Sequence, residues 1–342
     1  MTTVKQTGRR SAPTLEEVAA AAGVSRSTVS RVVNGSSQVS EDVLAAVQDA
    51  IELLNYVPNR AARSLANSQT MAIALVVPED TSRFFGDPYF SAVVQGIANG
   101  LEDSDYVLNL QLAHPSRPSP KTTRYLLGGN VDGAFVISHH VGDDFLTTLS
   151  ATLPVVFGGR PLDPTATQSY YVDVDNVTAA TVGVQRLIDL NRTRIGMIAG
   201  PTDMPAGIDR TTGWKKALAD AGLPADRIAN GDFSLMSGAR AMRELLEAYP
   251  DTDGVFVASD LMAAGALGVL AERRIAVPAD IAVVGFDDSP AAVAGPIQLT
   301  TVHQPSYEMG EKMAEVMLGL LRGENVDRVH LLETRLVIRD SA

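Results

Sequence analysis

The sequence predicts a small helical domain of the helix-turn-helix type, followed by an α/β body with two doubly wound parallel sheets. Three observations predict this. Short amphipathic segments with helix caps fill the first 58 residues, and seven apolar runs alternate with amphipathic segments after residue 70. Residues 1–70 carry seven basic and six acidic side chains, a balance of +1. Because the net charge of the whole chain is −12, the remaining residues carry a charge of −13. A near-neutral head and an acidic body indicate separate domains with different partners.

The composition narrows the possible functions. The 342 residues include no cysteine, which excludes disulfides, thiolate nucleophiles and cysteine-based metal sites. The first dozen residues lack an apolar segment, and no run of about 18 apolar residues occurs. We therefore expect a cytoplasmic protein without a membrane partner.

The head is built from three predicted helices. The first begins after Thr14, with Glu17 at capping-box spacing, and ends at Gly23. Ser25 is placed to cap a second helix, whose valines form an apolar stripe and whose arginines and hydroxyl residues lie outside it. A third helix follows Ser40 and stops at "NYVPN". A tight turn joins the first two helices, as in a helix-turn-helix.

Two interpretations of the head remain open on the pattern alone. A helical hairpin with scattered hydroxyl residues is compatible with plain packing as well as with DNA binding. The following segment, "PNRAARSLANS", has one large apolar side chain, Leu65, so it buries too little surface to be a stable isolated helix. Another molecule must order it.

Residues 14–68, with "TLEEVAAAAGVSRSTVSRVVNG" and "VSEDVLAAVQDAIELLNYVPNRAARSLA", resemble the headpiece of the LacI/GalR family of bacterial regulators, and the resemblance extends over nearly the whole chain. It implies that the second helix reads the major groove. Arg26, Ser27 and Arg31 match base-contacting positions, and Thr28 and Ser30 match phosphate-contacting ones. Further DNA-contact candidates are Thr14, Ser25, Asn34, Asn59 and Arg63.

The resemblance also assigns a role to "ARSLA". In the family this segment is a hinge helix that folds when two protomers meet on the operator, and the residue matching Leu65 wedges into the minor groove. We expect a homodimer. A tetramer is not expected, since no heptad repeat follows the last strand-like run at "LVIRDSA".

The body is predicted from its apolar runs, which are typical of strands buried on both faces. These runs span 71–79, 106–113, 131–138, 153–159, 194–200, 253–259 and 280–288. With the resemblance, the expected organisation is a disordered tail at 1–12, a DNA-binding domain at 13–58, a hinge at 59–69 and a periplasmic-binding-protein-like effector and dimerisation domain at 70–342. Its first lobe is expected at about 70–161 and 299–328, and its second at about 162–298 and 329–342.

Polar residues that follow the strands are the candidates for ligand binding, because ligands of such sheets bind beyond the carboxyl ends of the strands. The effector-binding candidates are Asp87, Tyr89, Phe90, Ser138, Arg160, Arg210, Phe233, Ser259, Asp287 and Gln304; His139 and His140 belong to a weaker set. A guanidinium, a carboxylate, an amide and an aromatic face suit a polyhydroxylated ligand. By resemblance, Arg210, Asp287, Phe233 and Gln304 match effector contacts of sugar-responsive members.

Each candidate also has a structural interpretation. Asp260 has the position of a helix cap, Phe233 that of a core residue, and Gln304 that of a residue serving the crossover between lobes. Ser259 stands where some family members carry asparagine, so no particular sugar is transferred from the resemblance.

Enzymatic activity is not expected. HExxH, GxSxG, P-loop and GxGxxG motifs are absent, the five histidines lack metal-ligand spacing, and the side chains of adjacent Asp287 and Asp288 diverge in a strand. We predict no cofactor and no metal. The expected function is a homodimeric repressor of carbohydrate-utilisation genes, released from a pseudo-palindromic operator by a mono- or disaccharide. The alternatives are a regulator with a purine-type corepressor, or a sugar-binding protein without DNA binding.

Overall fold

The structure is a computed structural model that describes residues 13–33, 39–56, 69–113, 120–140, 144–162 and 168–342. The chain divides into two compact units, Met1–Met71 and Ala72–Ala342. Several sequence predictions lie outside the described residues: the tail at 1–12, most of the hinge at 59–69, and the DNA-contact candidates Asn34, Asn59, Arg63 and Leu65.

The first unit contains the three predicted helices, α1 (Leu15–Ala22), α2 (Arg26–Val33) and α3 (Glu41–Leu54). Thr14 and Glu17 form the predicted capping box at the start of α1, and Gly23 ends that helix with φ of 65°. A left-handed backbone of this kind is available to glycine at no steric cost, which permits the tight turn into α2.

A small apolar core holds these helices together. Val18 of α1, Val29 of α2 and Val47 of α3 are fully buried, and Tyr56 covers the end of α3. Val32 and Val33 pack against this core with partial exposure. The valines of the second helix therefore attach it to the head, as the sequence predicted.

The second unit contains two six-stranded sheets in its described residues. The strands are β1 (Ala72–Val77), β2 (Val107–Leu112), β3 (Gly133–Ile137), β4 (Val155–Gly158), β5 (Tyr170–Val174), β6 (Ile195–Ala199), β7 (Ile228–Asn230), β8 (Gly254–Val257), β9 (Ala282–Asp287), β10 (Thr300–His303), β11 (Val329–Leu332) and β12 (Arg335–Val337). All seven apolar runs form strands. Six of these strands are buried along all or nearly all of their length, because helices cover both faces of the sheets, whereas β2 lies at a sheet edge and is partly exposed.

The helices of this unit alternate with its strands. They are α4 (Thr81–Gly86), α5 (Pro88–Leu101), α6 (Pro120–Leu127), α7 (Asp144–Thr152), α8 (Asn176–Asp189), α9 (Pro205–Asp220), α10 (Leu235–Ala248), α11 (Asp260–Glu272) and α12 (Ser306–Leu321), with a 3-10 helix at Pro290–Val293. Each of the two sheets is thereby packed between layers of helices, as the predicted fold class requires.

The strand order is β11-β5-β4-β3-β1-β2 in the first sheet and β12-β10-β9-β8-β6-β7 in the second. All neighbours in the first sheet are parallel. In the second sheet β12 runs antiparallel to β10, so this sheet is mixed and not purely parallel. The predicted doubly wound architecture is otherwise present twice.

The chain crosses between the lobes three times, and the crossings differ from the expected lobe boundaries. They lie between β5 and α8, between β10 and α12, and between β11 and β12. Residues 170–174 therefore belong to the first lobe, as do 329–332, whereas 299–303 belong to the second. The expected boundaries failed because β5, β10 and β11 carry tyrosine, threonine, aspartate or histidine and so lack the apolar signature of a central strand.

Close helix packing holds α5 against α12 in the first lobe. A Cβ on Gly96 would lie 1.9 Å from the carbonyl oxygen of Tyr307, and one on Gly310 would lie 2.2 Å from that of Val93. The two backbones approach each other too closely for any side chain at these positions. Interior packing at native density leaves no space to absorb the displacement.

We expect Gly96→Ala to destabilise the second unit by about 1–3 kcal/mol, because the methyl group forces two backbones apart. Gly268→Ala is the matched control: it also replaces a helical glycine, nothing lies within 4 Å of the added Cβ, and the residue is exposed. The control should gain up to about 1 kcal/mol from helix propensity. Urea unfolding curves measure both changes, and equal effects of the two substitutions would contradict this packing analysis.

Candidate functional site

A cleft lies between the carboxyl ends of the two sheets, where the doubly wound topology places ligand sites. Its empty space, part of it open to solvent, amounts to about 650 Å³. The lining residues come from both lobes: Arg83, Asp87, Tyr89, Ser138, His139, Gly158, Gly159, Arg160, Asp173, Asn176, Met204, Pro205, Ala206, Arg210, Phe233, Ser259, Asp287, Gln304 and Met309.

Nine of the ten effector-binding candidates line this cleft. The exception is Phe90, which is 1% exposed and packs beside Phe84 in the core of the first lobe. Phe90 lies at helical spacing with Val93 and Ile97, so its side chain turns inward with them along the buried face of α5. Its prediction as a cleft residue was wrong.

Sequence reasoning missed several lining residues, of which Arg83, Asp173 and Asn176 make the most contacts. Asp173 and Asn176 follow the same rule as the predicted set, because they lie at the carboxyl end of a strand. The strand itself, "YYVDV", was not recognised as one. Arg83 lies on the short helix α4, for which the sequence gives no periodic signal.

Arg210, on α9, makes four hydrogen bonds in the floor of the cleft. Its Nε donates to Asn176 Oδ1 at 2.9 Å, and its Nη2 donates to Gln304 Oε1 at 2.6 Å. Its Nη1 donates to the carbonyl oxygen of Ala258 at 2.6 Å and to Asp287 Oδ1 at 3.2 Å. The guanidinium also lies over the ring of Phe286, 3.6 Å from its centroid. Few of its N–H groups remain for a ligand, so its orientation is fixed before any ligand arrives.

Asp287 and Asp288 direct their side chains apart, as predicted. The Asp287 carboxylate faces Arg210 in the cleft, whereas Asp288 accepts hydrogen bonds from His303 and Arg339 behind it. Burial raises the pKa of Asp287 to about 7, against the opposing effect of the Arg210 charge.

The start of α11 corrects the predicted role of Asp260. Ser259 is the N-cap, since its hydroxyl accepts from the backbone N–H of Met262. Asp260 is fully buried, accepting from Thr301 Oγ1 at 2.6 Å and from the N–H of Ser289 at 2.8 Å. Burial and the nearby Asp287 raise the pKa of Asp260. Ser259 is the N-cap because its backbone is extended, whereas Asp260 is already the first residue of the helix.

Charged groups bridge the two lobes at the mouth of the cleft. Arg160 of the first lobe binds Asp209 of α9 through two hydrogen bonds of 3.0 and 2.8 Å. The backbone N–H of Arg160 donates to Asp173 Oδ2 at 2.7 Å. Burial raises the pKa of Asp173, although the backbone N–H groups of Arg160 and Val174, which donate to its carboxylate, oppose this shift. The bidentate pair is the geometry in which an arginine-carboxylate contact is strongest.

A second bridge runs through His140. Its Nδ1 lies 3.0 Å from Asp203 Oδ2 in the second lobe, and its Nε2 lies 3.1 Å from Glu79 Oε1 in the first. Both neighbours are carboxylates, so the imidazolium form satisfies both contacts, and the hydrogen bond to Glu79 is the largest cause that raises the pKa of His140. Glu79 is buried and also binds Ser138 Oγ at 2.6 Å and Arg83 Nη1 at 2.9 Å.

The pKa of His139 is shifted in the opposite direction to that of His140. Its Nε2 lies 3.1 Å from the carbonyl oxygen of Arg160, and because a carbonyl only accepts, Nε2 carries the proton. Burial lowers the pKa of His139 to about 4, which keeps the ring neutral near pH 7. The ring packs edge to face on Phe157. Its position is therefore that of a wall residue of the cleft.

Phe233 supplies the aromatic surface in the second lobe. Its backbone is left-handed, with φ of 66°, and its side chain is 6% exposed. The ring packs over Gly200, where a Cβ would lie 2.3 Å from it. The guanidinium of Arg83, from the other lobe, lies 5.2 Å from the ring centroid. The turn thus presents this ring to the cleft and to the first lobe.

The electrostatics of the cleft favour a neutral ligand. Each lining arginine already faces a carboxylate: Arg83 pairs with Glu79, Arg160 with Asp209 and Arg210 with Asp287. Two further carboxylates, Asp87 and Asp173, also line the cleft, and burial raises the pKa of Asp87. The carboxylates present hydrogen-bond acceptors for hydroxyl groups, and the N–H groups that the paired arginines retain can only donate.

Within the described ranges, no three His, Asp or Glu side chains are grouped as a metal ion would require. Among the described helices, none has both the length and the apolar character needed to span a bilayer.

The head carries the other candidate site. On α2, Arg26, Ser27 and Arg31 are exposed, whereas Thr28 and Ser30 are half-buried. Ser25 caps the helix by accepting from the N–H of Thr28, and Thr14 is engaged in its capping box. Arg26 Nε lies 3.0 Å from Glu16 Oε1, and both side chains are well exposed. Such a surface pair is weak, so Arg26 is available to a DNA base.

Two family models match the chain. Residues 14–59 match the model of bacterial regulatory proteins of the lacI family, and residues 184–342 match that of the periplasmic binding protein-like domain. The chain is 44% identical to the HTH-type transcriptional regulator CelR of Thermobifida fusca over 337 residues, which cover 97% of this chain and 99% of that protein.

Solved structures agree with these matches. A complex of the transcriptional regulator CelR with cellobiose has 42% sequence identity and a TM-score of 0.77, covering 96% of this chain and 100% of that one. A lac repressor dimer bound to operator and the anti-inducer ONPF has 28% identity and a TM-score of 0.84, covering 97% and 99%. The predicted fold class is confirmed.

Both family matches and the similarity over nearly the full length support the same family assignment. A family of transcriptional regulators also confirms the prediction that the chain is not an enzyme. This protein belongs to the lacI family of bacterial regulatory proteins.

Proposed function

We propose that this regulator is a homodimeric repressor of carbohydrate-utilisation genes, which a neutral saccharide releases from its operator. The observation that carries the proposal is the composition of the cleft, where carboxylates present acceptors to hydroxyl groups beside the ring of Phe233 and the arginines are already paired. An anionic ligand would find no unpaired guanidinium among the described lining residues. CelR, which is similar over nearly its full length, was solved with cellobiose.

The purine-type alternative has less support. A nucleobase needs aromatic side chains for stacking, and the candidates were Tyr89, Phe90 and Phe233. Phe90 lies in the core, which leaves Tyr89 and Phe233 among the described lining residues. The remaining alternative, a sugar-binding protein without DNA binding, conflicts with the match of residues 14–59 to a family of regulators.

The proposed mechanism couples the cleft to the DNA through the arrangement of the two lobes. Arg160 with Asp209, and His140 with Asp203, bridge the lobes at the mouth of the cleft. A ligand between the lobes changes their preferred arrangement only by its differential affinity for the two states. In a dimer, each protomer presents one head to one half of a pseudo-palindromic operator. The lac repressor structure shows such a dimer on operator for that relative.

The direct test is operator binding by fluorescence anisotropy during titration with cellobiose, other mono- and disaccharides, and purines. We expect at least one saccharide to weaken operator binding and purines to have no effect. A purine that tightens binding, with no response to any saccharide, would establish the corepressor alternative instead.

Sedimentation at micromolar concentration should show a dimer, and a monomer or a stable tetramer would contradict the proposed assembly.

For the head, we expect Arg26→Ala to cost about 1–3 kcal/mol at one base position of each half-site and to relax the preference there, because arginine pairs with a guanine edge through two hydrogen bonds. Competition binding with operators substituted at each position measures this effect. Arg240→Ala, which removes an equal charge from α10 in the other unit, is the control. Equal weakening on every sequence would make Arg26 a phosphate contact.

For the cleft, we expect Arg210→Ala and Asp287→Asn to weaken saccharide binding about ten- to a hundred-fold, the equivalent of one charged hydrogen bond. Asp287→Asn is the more informative change because it keeps the shape of a buried side chain. Operator affinity without saccharide should stay unchanged in Asp287→Asn, which leaves the other three hydrogen bonds of Arg210 in place. Asp220→Asn, which breaks the exposed pair with Lys216 on the same helix as Arg210, is the control. Calorimetric titration that gives wild-type affinity for Asp287→Asn would remove that residue from the site.

The bridge through His140 predicts a pH dependence. The folded protein raises the pKa of His140, so its contribution to stability is complete below the ordinary value of 6.5 and is lost as the pH rises through the raised value. We expect the difference in Tm between wild type and His140→Gln to be largest below about pH 6.5 and to shrink as the pH rises above that value. His330→Gln, an exposed histidine bound only to a backbone carbonyl among the contacts described, is the control. A difference that stays constant across this range would show that His140 is not charged in the bridge.

A further inference from the structure

The turn that follows β9 has a backbone that L-residues rarely adopt. Asp287 has φ of 110° and Asp288 has φ of 57°, so two consecutive residues with side chains lie in the left-handed region. Such conformations persist where the surrounding structure fixes them, and they cluster at functional sites. The carboxylate that this turn presents to the cleft is that of Asp287.

The carboxylate of Asp288 fixes the turn from outside the cleft. Its Oδ1 accepts from Arg339 Nη2 at 2.6 Å, and its Oδ2 lies 3.0 Å from His303 Nδ1. Arg339 is itself held by a second hydrogen bond, from its Nη1 to the carbonyl oxygen of Leu299 at 2.9 Å. Asp288 is 14% exposed and is not among the residues that line the cleft. It therefore influences a ligand only through other residues.

The two partners of Asp288 are connected to crossings between the lobes in different ways. His303 is the last residue of β10, directly before the chain crosses to α12. Arg339 follows β12, the first strand after the crossing from β11. At the same turn, the N–H of Gln304 donates to the carbonyl oxygen of Asp287 at 3.1 Å. The turn, the cleft carboxylate, the crossing after β10 and the end of β12 thus form one connected set of hydrogen bonds.

We propose that Asp288 is a positioning residue for effector binding: it orients Asp287 toward the ligand and connects that carboxylate to His303, which precedes the crossing to α12, and to Arg339, which follows β12. This inference rests on the proposed function, in which a saccharide binds beside Arg210 and Asp287. A ligand that binds the Asp287 carboxylate then acts on the turn. Through Asp288 it acts on β10, which leads into one crossing, and on β12, which follows another. No direct contact between Asp288 and the ligand is involved.

The test is a double-mutant cycle on the full-length protein with cellobiose as the probe. We expect Asp288→Ala to weaken cellobiose binding about tenfold and to reduce the effect of cellobiose on operator binding. In the Asp287→Asn background, Asp288→Ala should cause no further loss, because it acts through Asp287. Asp288→Asn, which keeps the shape of the side chain, should lie between wild type and Asp288→Ala. Asp251→Ala, which breaks the Arg227 pair elsewhere in the same lobe, is the control and should bind cellobiose as wild type does.

A second measurement separates this inference from the proposed function. Without any sugar, the backbone N–H groups of Ser289 and Gln304 should exchange with solvent faster in Asp288→Ala than in wild type, because the turn that holds them is released. Wild-type exchange rates, wild-type cellobiose affinity, or losses that add in the double variant would each overturn the positioning role. A wild-type protein that binds neither cellobiose nor another saccharide would overturn the proposed function, and the exchange rates would still decide whether Asp288 fixes the turn.

Discussion

The hydrogen bonds of one buried side chain, Arg210, are the constraint on which the effector-binding unit depends. Its guanidinium joins Asn176, at the first crossing between the lobes, to Gln304, at the second, and it holds Asp287 in the cleft. A buried guanidinium without these acceptors would carry a large desolvation cost, so the acceptors and the crossings that bear them are fixed together. The arginine that lines the cleft is therefore also the group that ties the lobes.

This arrangement explains how a small ligand can influence the whole unit. The lobes meet through few charged bridges at the mouth of the cleft, Arg160 with Asp209 and His140 with Asp203, each of which can form only when the lobes are close. Allosteric coupling energies of about 1–3 kcal/mol suffice for a five- to hundredfold change in affinity, and the making or breaking of one or two such bridges is of that order. Both lobes have closely packed cores, with Trp214 and Phe135 fully buried, so in the proposed mechanism we expect each lobe to move as a whole body.

Most of the fold was predictable from the sequence, and the exceptions have physical reasons. Central strands such as β1 and β8 are buried on both faces, so their apolar runs are unmistakable, and the head is marked by Thr14 with Glu17 and by Gly23. The strands β5, β10 and β11 carry polar residues and show no such run, which misplaced the lobe boundaries. In the cleft, the rule of strand ends found Arg210 and Asp287. The rule could not distinguish Phe90, which points into the core, from residues that line the cleft. It also could not detect the contacts of Arg83 and Asn176 with residues distant in sequence, because the sequence does not show which strand ends face each other.

The central claim is that a saccharide in the cleft and operator DNA at the heads act on one equilibrium. Thermodynamic linkage then requires each ligand to change the affinity of the other by the same factor. The most direct measurement is calorimetric titration of the full-length protein with cellobiose, in the presence and absence of saturating operator DNA. We expect cellobiose to bind more weakly to the operator complex, by the factor by which it weakens operator binding. A cellobiose affinity that is the same with and without operator would contradict the account.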